Sequence, residues 1–304
     1  MGAYGTAGCG GGDAVEFCRL ARGLSKAETC RAFLALAGGR AVEFRPPTPI
    51  RPKFRADEES EKERQRENWP IFESPLAHPD DTPARAVGTL AKLRSVSLAG
   101  VELTARRRLL YFAAWKGLPA WIVTDGARLN AQARRMDGKR WPEKKIKDQT
   151  LPGIKAQTLP GSRAAWPVGI REAAPFPVLL LCEGGPDLLA AHHFIMAHKR
   201  EADTAAVAML GAGLAIHPDA LPLFAGKVVR VFAHADDAGR EAAVKWATQL
   251  DGIASRLDAL SFEGFFLPNG APVKDLNDAA RLPQTPENEV EILIPDETEA
   301  FQPA

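Results

Sequence analysis

Three groups of acidic residues in this 304-residue chain stand where an apolar run breaks into a turn or a helix-like stretch. Glu183 ends the run in V-L-L-L-C-E-G-G-P-D-L-L-A-A at 178–191. Asp236 and Asp237 lie in A-H-A-D-D-A-G-R just after the apolar stretch 228–232, and Asp275 belongs to K-D-L-N-D at 274–278. A buried strand that stops at a carboxylate and turns into a helix puts that carboxylate at the carboxyl edge of a parallel sheet, where open α/β sheets bind ligands. Carboxylates gathered there repel one another unless a proton or a cation intervenes. Hard oxygen ligands with open positions suit Mg²⁺, which draws on one or two carboxylates plus substrate phosphate. Capping is the competing use of the same residues. Acids at a helix N-terminus answer its dipole, so Asp236 and Asp237 could serve a helix alone, and Asp275, Asn277 and Asp278 could form an Asx-capped turn.

The elements that must hold these residues follow from periodicity. Over 178–280 the chain reads strand, helix, strand, helix, strand. The strands are expected at 178–181, 205–209, 227–233 and 257–260, and the helices at 186–199, 217–223 (short) and 238–250. Alternation at this pace argues for a parallel sheet with helices on its faces. His192, His193 and His198 fall on the first of these helices and are not expected to bind zinc.

Upstream, residues 128–163 carry ten Lys and Arg against three acids, a local excess of about +7, with Trp141 inside the run and Trp166 just after it. Arg134, Arg135 and Lys139 are its candidate nucleic-acid contacts: cations for phosphates and an aromatic for a base. A solvated face is the plainer reading. The pentamer Q-T-L-P-G occurs twice, at 149–153 and 157–161. Before the basic run, 86–94 reads as a helix and 109–112 with 120–123 as a hairpin turning at Lys116–Pro119. Residues 45–85 are proline-rich, then densely charged from Asp57 to Asn68 with mixed signs that suit a solvated helix, and are expected to be a linker. Residues 1–44 open on glycines and hold two short helices beginning at Asp13 and at the S-x-x-E box of Ser25 and Glu28. The expected divisions are thus 1–44, 45–85, a basic α+β subdomain at 86–174, the parallel-sheet domain at 175–282, and an acidic tail at 283–304, in which 290–294 is a possible edge strand.

E-G before a helix, D-x-D-x-A-G after a strand and then K-D-x-N-D resemble, in order and spacing, the Toprim domain shared by primases, topoisomerases and some nucleases. The K-D-L-N-D form, with Leu210-Gly211-Ala212-Gly213 after the second strand, looks most like the primases of phages and plasmids. The resemblance covers roughly 175–280. Gly8-Cys9-Gly10-Gly11-Gly12-Asp13 through Phe17, then Gly23-Leu24-Ser25 and Glu28, is similar to the tail of the CHC2-type zinc-binding domain of primases. Thr6 stands where the first cysteine of that family's pair would be, so zinc is not expected here.

The resemblance implies metal-assisted nucleotidyl transfer. Glu183 would be the general acid/base or a ligand to Mg²⁺ or Mn²⁺. Asp236 and Asp275 would match the second and third acidic positions, with Asp237 an additional acid. Gly184, Gly185, Arg240, Lys274 and Asn277 would lie against nucleotide. The implied partners are single-stranded DNA, nucleoside triphosphates and a separate replicative helicase. One departure stands out: His234 occupies the place of the first Asp of D-x-D. Imidazole is a poor ligand for Mg²⁺ but acceptable for Mn²⁺.

Composition bounds the rest. A formal net charge of +1 argues against a globally basic coat while allowing a local patch. No apolar run approaches the ~20 residues of a membrane span, and the N-terminus lacks the form of a signal peptide. Cys9, Cys18, Cys30 and Cys182 have no CxxC spacing, which suits reduced thiols in a cytoplasmic protein. No G-x-x-x-x-G-K-[ST] loop occurs, so the chain lacks that helicase motif. Three functions remain open: a primase-like nucleotidyltransferase, a nucleic-acid-binding module of the same fold that works with a separate helicase, and a Toprim nuclease.

Overall fold

Four apolar runs become the strands of one parallel sheet. The computed structural model describes residues 53–75, 82–146 and 149–283. The two proposed N-terminal helices, three of the four cysteines and the acidic tail lie outside these. Contacts divide the chain into units 1–53 and 54–304, and the description below concerns the second.

The strands are β7 (Val178–Cys182), β8 (Thr204–Ala208), β9 (Val228–Phe232) and β10 (Arg256–Leu260), in the spatial order β10-β9-β7-β8. All three ladders are parallel. Helices cover both faces, so the central strands are apolar on both sides. Leu180, Cys182 and Phe232 pack with Leu188, Leu189 and Phe194 of α4 (Gly185–Ala197). Leu179, Leu181, Val229 and Val231 pack with Ala242, Trp246 and Leu250 of α5 (Asp237–Leu250) on the other face. Cys182 is a buried free thiol.

Ahead of this sheet lie α2 (Thr82–Arg94), α3 (Leu98–Arg106) and an antiparallel sheet ordered β1-β2-β3-β6. Its strands are β1 (Leu110–Trp115), β2 (Leu118–Thr124), β3 (Ala131–Arg135) and β6 (Gln157–Thr158). The β1–β2 hairpin turns on Lys116 and Gly117, both at positive φ, as a two-residue turn of matching twist requires. Helix α3 was not expected from the sequence. Its cap, Ser97, accepts from Gly100 N, and its backbone and hydroxyl both meet Nδ1 of His193, tying α3 to α4. His193 is thus a brace.

Two expectations are corrected here. The segment read as a linker contains α1 (Lys53–Glu67), which is anchored. Trp69 Nε1 donates to Pro160 O at 2.6 Å, Arg66 donates to Gly161 O, and Glu59 meets Arg66 and Arg163. Trp69 and Phe72 are buried with Trp141, Ile122 and Leu159 on one face of the antiparallel sheet. The densely charged helix thus ends in two aromatics that have a core to enter. The tryptophans of the basic run are also not stacking platforms: Trp141 and Trp166 are 3% and 2% exposed. The two Q-T-L-P-G copies enter different sheets. The first forms β5 (Gln149–Leu151), paired with β4 (Lys144–Ile146), and the second forms β6, paired with β3. No described helix is long and apolar enough to cross a membrane.

Candidate active site

The parallel ladders are level: Cys182 pairs with both Ala208 and Phe232. Glu183 and Ala233 therefore leave neighbouring strands at one height, and His234 follows one residue later. Because α4 and α5 depart to opposite faces, the crevice between the ends of β7 and β9 is the topological switch point of the sheet, the preferred place for a ligand.

The first turn of α4 adds Asp187 to this crevice. Gly184 is the extended N-cap, Pro186 sits in the first turn with its φ already helical, and Asp187 follows, 3% exposed by its side chain. The short helix α6 (Leu276–Ala279) adds Asp275, whose carboxylate caps it by accepting from Asp278 N at 2.7 Å. His234 stands among these acids. Its Nε2 is 3.0 Å from Asp187 Oδ2 and its Nδ1 is 3.3 Å from Glu183 Oε1. Ligand atoms of Asp187, His234 and Asp275 lie within 4.8 Å of one another. Glu183 Oε2 is buried without a hydrogen-bond partner.

The electrostatics follow from burial and crowding. Burial raises the Glu183 pKa, with Asp187, Asp236 and Asp275 adding to the rise and His234 opposing it. Burial and the Asp187 charge push Asp275 up to about 6. Burial works against charge on His234, but the Asp187 hydrogen bond and the carboxylates of Asp187, Glu183 and Asp275 prevail and push it up to about 9.

Cations share the crevice with the acids. Arg94, Arg134, Lys155, Lys274 and Arg281 line the same pocket, of about 470 Å³. Both Arg94 and Arg134 lie over the buried Trp121 ring, at 5.2 and 6.0 Å from its centroid, and each has a buried Nε without a partner. Burial lowers the pKa of both, that of Arg94 to about 10. Arg94, Arg134 and Lys155 also line a smaller adjoining pocket with Arg135, Gly138 and Lys139.

The expected site residues divide accordingly. Glu183, Gly184, Arg134, Lys274, Asp275 and His234 line the pocket. Arg135 and Lys139 line only the smaller one, with Arg135 paired to Asp137. Asp236 is a cap: its Oδ1 accepts from Gly239 N at 2.8 Å. Asp237 has a 93% exposed side chain paired with Arg240, and Arg240 also meets Glu263, so neither lines the pocket. Asn277 is buried, with its side-chain amide donating to Arg94 O and its backbone N–H to Asp187 Oδ1. It also lines the pocket, so it braces the site from within. Gly185 is there for packing, since a Cβ would come within 3.2 Å of Trp121 and Val123 side-chain atoms.

The sequence reading did not single out Asp187, Arg94 or Arg281, and it held Lys155 only as one cation of the basic run. Only Asp187 left a local signal, because the first turn of a helix that follows a strand shares the strand's carboxyl edge. The three cations reach the pocket from α2, from the segment before β6 and from the end of α6.

The donors that come together differ from the quartet expected from the sequence. Of the quartet Glu183, Asp236, Asp237 and Asp275, Glu183 and Asp275 line the pocket, Asp236 uses one oxygen to cap α5, and Asp237 is 93% exposed and paired with Arg240. The trio that is gathered contains His234, and a nitrogen ligates metal through its lone pair. His234 Nε2 hydrogen-bonds Asp187 Oδ2, and its Nδ1 lies 3.3 Å from Glu183 Oε1.

Among known proteins, no family model matches the chain and no curated protein matches it. Several chains of solved structures match it, among them the following two. The primase fragment of the bacteriophage T7 primase-helicase protein has 16% identity and a TM-score of 0.40, covering 62% of this chain and 66% of that one, just under two thirds of its length. Bacteriophage T7 lagging-strand DNA polymerase interacting with primase domains of two gp4 subunits, bound to an RNA/DNA hybrid and dTTP, contains a chain at 16% identity and a TM-score of 0.33, covering 62% and 82%.

Proposed function

We propose that this chain is a Toprim-type, primase-like nucleotidyltransferase that takes the phosphates of a nucleoside triphosphate and of single-stranded DNA at the β7/β9 switch point. The observation that carries this reading is the pocket of about 470 Å³ at the carboxyl edge, where Arg94, Arg134, Lys155, Lys274 and Arg281 face Glu183, Asp187 and Asp275. Guanidinium and ammonium groups hold phosphate oxygens and offset charge that builds during transfer. Glu183, with its pKa raised by burial and a buried oxygen left without a partner, is the group suited to accept the proton of an attacking 3′-hydroxyl. The order of the three acidic motifs supports the primase-like assignment, which brings with it a separate helicase as partner.

A second reading, nucleic-acid binding without synthesis, is favoured by one observation: His234 stands where the motif has an acid. The deciding experiment is template-directed primer synthesis with purified protein, run with Mg²⁺ and separately with Mn²⁺. Synthesis that falls about 100-fold or more in Glu183→Gln, the loss typical of a removed general base, supports the first reading. DNA binding unchanged by that substitution, with no product from either protein, establishes the second. Strand cleavage without triphosphates would point to a nuclease and sink both.

A further inference from the structure

Two of the pocket's cations are held by a ring and not by the acids. Trp121 on β2 and Arg134 on β3 are paired across the antiparallel ladder, so their side chains leave the sheet on one face. Arg94 is the last residue of α2, and its carbonyl oxygen accepts from the Asn277 side-chain amide at 2.7 Å. From these two elements both guanidiniums come over the one buried indole, their central carbons 5.2 Å (Arg94) and 6.0 Å (Arg134) from its centroid. The ring attracts each guanidinium over its face and leaves the N–H donors of the planar fork untaken.

Those donors are not taken up elsewhere. Among the described residues neither guanidinium makes a hydrogen bond or an ion pair, and the Nε of each is buried without a partner. Asp187 and Asp275 attract both only from beyond ion-pair distance. Two like charges on one ring repel each other, and buried charges are costly unless they are paired and hydrogen-bonded. Phosphate oxygens are the acceptors that such forks fit bidentately. The surroundings favour an anion as well. Arg94, Arg134 and Lys155 line both the pocket of about 470 Å³ and the adjoining cavity of about 130 Å³, whose remaining lining is Arg135, Gly138 and Lys139, without a carboxylate. Arg134 Nη2 is 4.0 Å from the place of a Cβ on Gly184, so this guanidinium reaches the turn between Glu183 and Asp187.

We propose that Arg94 and Arg134, held over Trp121, form a clamp for a single phosphate group where the two cavities meet, with Lys155 as a third cation and Trp121 as the positioning residue. The proposal rests on the phosphate-binding role proposed above and gives it a defined seat, apart from the carboxylates. The phosphate belongs either to a nucleotide or to the backbone of a single strand, and both present the same oxygens.

The test uses the full chain with chelator present. Binding of inorganic pyrophosphate is measured by calorimetry, and binding of a fluorescent oligothymidylate by anisotropy. Arg94→Lys and Arg134→Lys keep the charge and lose the fork. Each should weaken binding at least ~10-fold, the scale of one lost hydrogen bond between charged groups. The double substitution should lose less than the product of the two, because both act on one phosphate. Trp121→Leu should weaken binding about 3-fold or more, and Trp121→Phe, which keeps an aromatic face, should restore much of it. A loss for pyrophosphate supports the clamp with a nucleotide as the source, and a loss for the oligonucleotide supports it with the strand. Binding of both probes at wild-type strength in the lysine variants, losses that multiply independently, or a wild type that binds neither probe would overturn it. If a variant does not fold, the wild-type Nε–H resonances of Arg94 and Arg134 decide: they should shift together when either probe is added, and unmoved resonances overturn the clamp. Arginine-dependent binding without primer synthesis would count against the proposed function and support the clamp. Normal synthesis with arginine-independent binding would do the reverse.

Discussion

Glu183, Asp187 and His234 show how much one residue's neighbours decide. Glu183 acts as a base only when ionised, and burial raises its pKa, so primer synthesis should rise with pH through that raised value. A pH–rate profile flat from acid to neutral pH would remove Glu183 from the role. His192 behaves in the opposite sense. It is fully buried, its Nδ1 donates to Leu188 O, and burial drives its pKa from 6.5 down to about 3. Its folded pKa is depressed, so its stabilising contribution is present above about 6.5 and is lost as pH falls toward 3, because the unfolded chain takes up the proton first. Each pH unit in that window should remove about 1.4 kcal/mol of stability. Urea unfolding at pH 7, 5.5 and 4.5 checks this, and His192→Leu should flatten the profile. At Gly239 an alanine would collide with the His234 carbonyl. Gly239→Ala should lower stability by about 1–3 kcal/mol, as overpacking does, and a urea midpoint equal to wild type would refute the close approach.

At the scale of elements, the parallel sheet was legible in the sequence and its attachments were less so. Strands β7, β8 and β9 alternate with helices and are largely apolar on both faces, which gives a strong local signal. Helix α3 was missed because Leu98–Arg106 follows α2 closely and has only nine residues in which to show a period. Helix α1 was expected as a solvated helix of a linker because its composition is nearly all charged; the residues that anchor it, Trp69 and Phe72, act through a sheet that begins only at Leu110. Trp69→Ala removes a buried indole and its bond to Pro160 O, and should cost about 3–5 kcal/mol. Thermal unfolding measures this. A loss below 1 kcal/mol would restore the linker reading.

For the whole molecule, the formal net charge is +1, so any nucleic-acid affinity must come from where the charges sit. The pocket cations come from α2, β3, the segment before β6, and both sides of α6. Binding to single-stranded DNA should therefore weaken with salt, with log K falling by roughly 0.7 per decade of salt for each phosphate contacted. Lys155→Gln and Lys274→Gln should each make that slope shallower by about one contact. Unchanged slopes in fluorescence anisotropy would place DNA elsewhere on the surface.

The sequence by itself determined the sheet, the edge at which ligands meet it, and Glu183 and Asp275 as residues of that edge. These are local facts, since a strand that ends in an acid and turns into a helix carries its geometry in a short stretch of chain. Only the tertiary structure decided which acids face one another and what lies between them. Asp236 and Asp237 read like ligands but serve the helix that follows them, and Asp187, a first-turn residue, takes the inner place. His234 reads as a departure from a motif. In three dimensions it is the group between two carboxylates, because β7 and β9, 50 residues apart in sequence, lie side by side with their ends level.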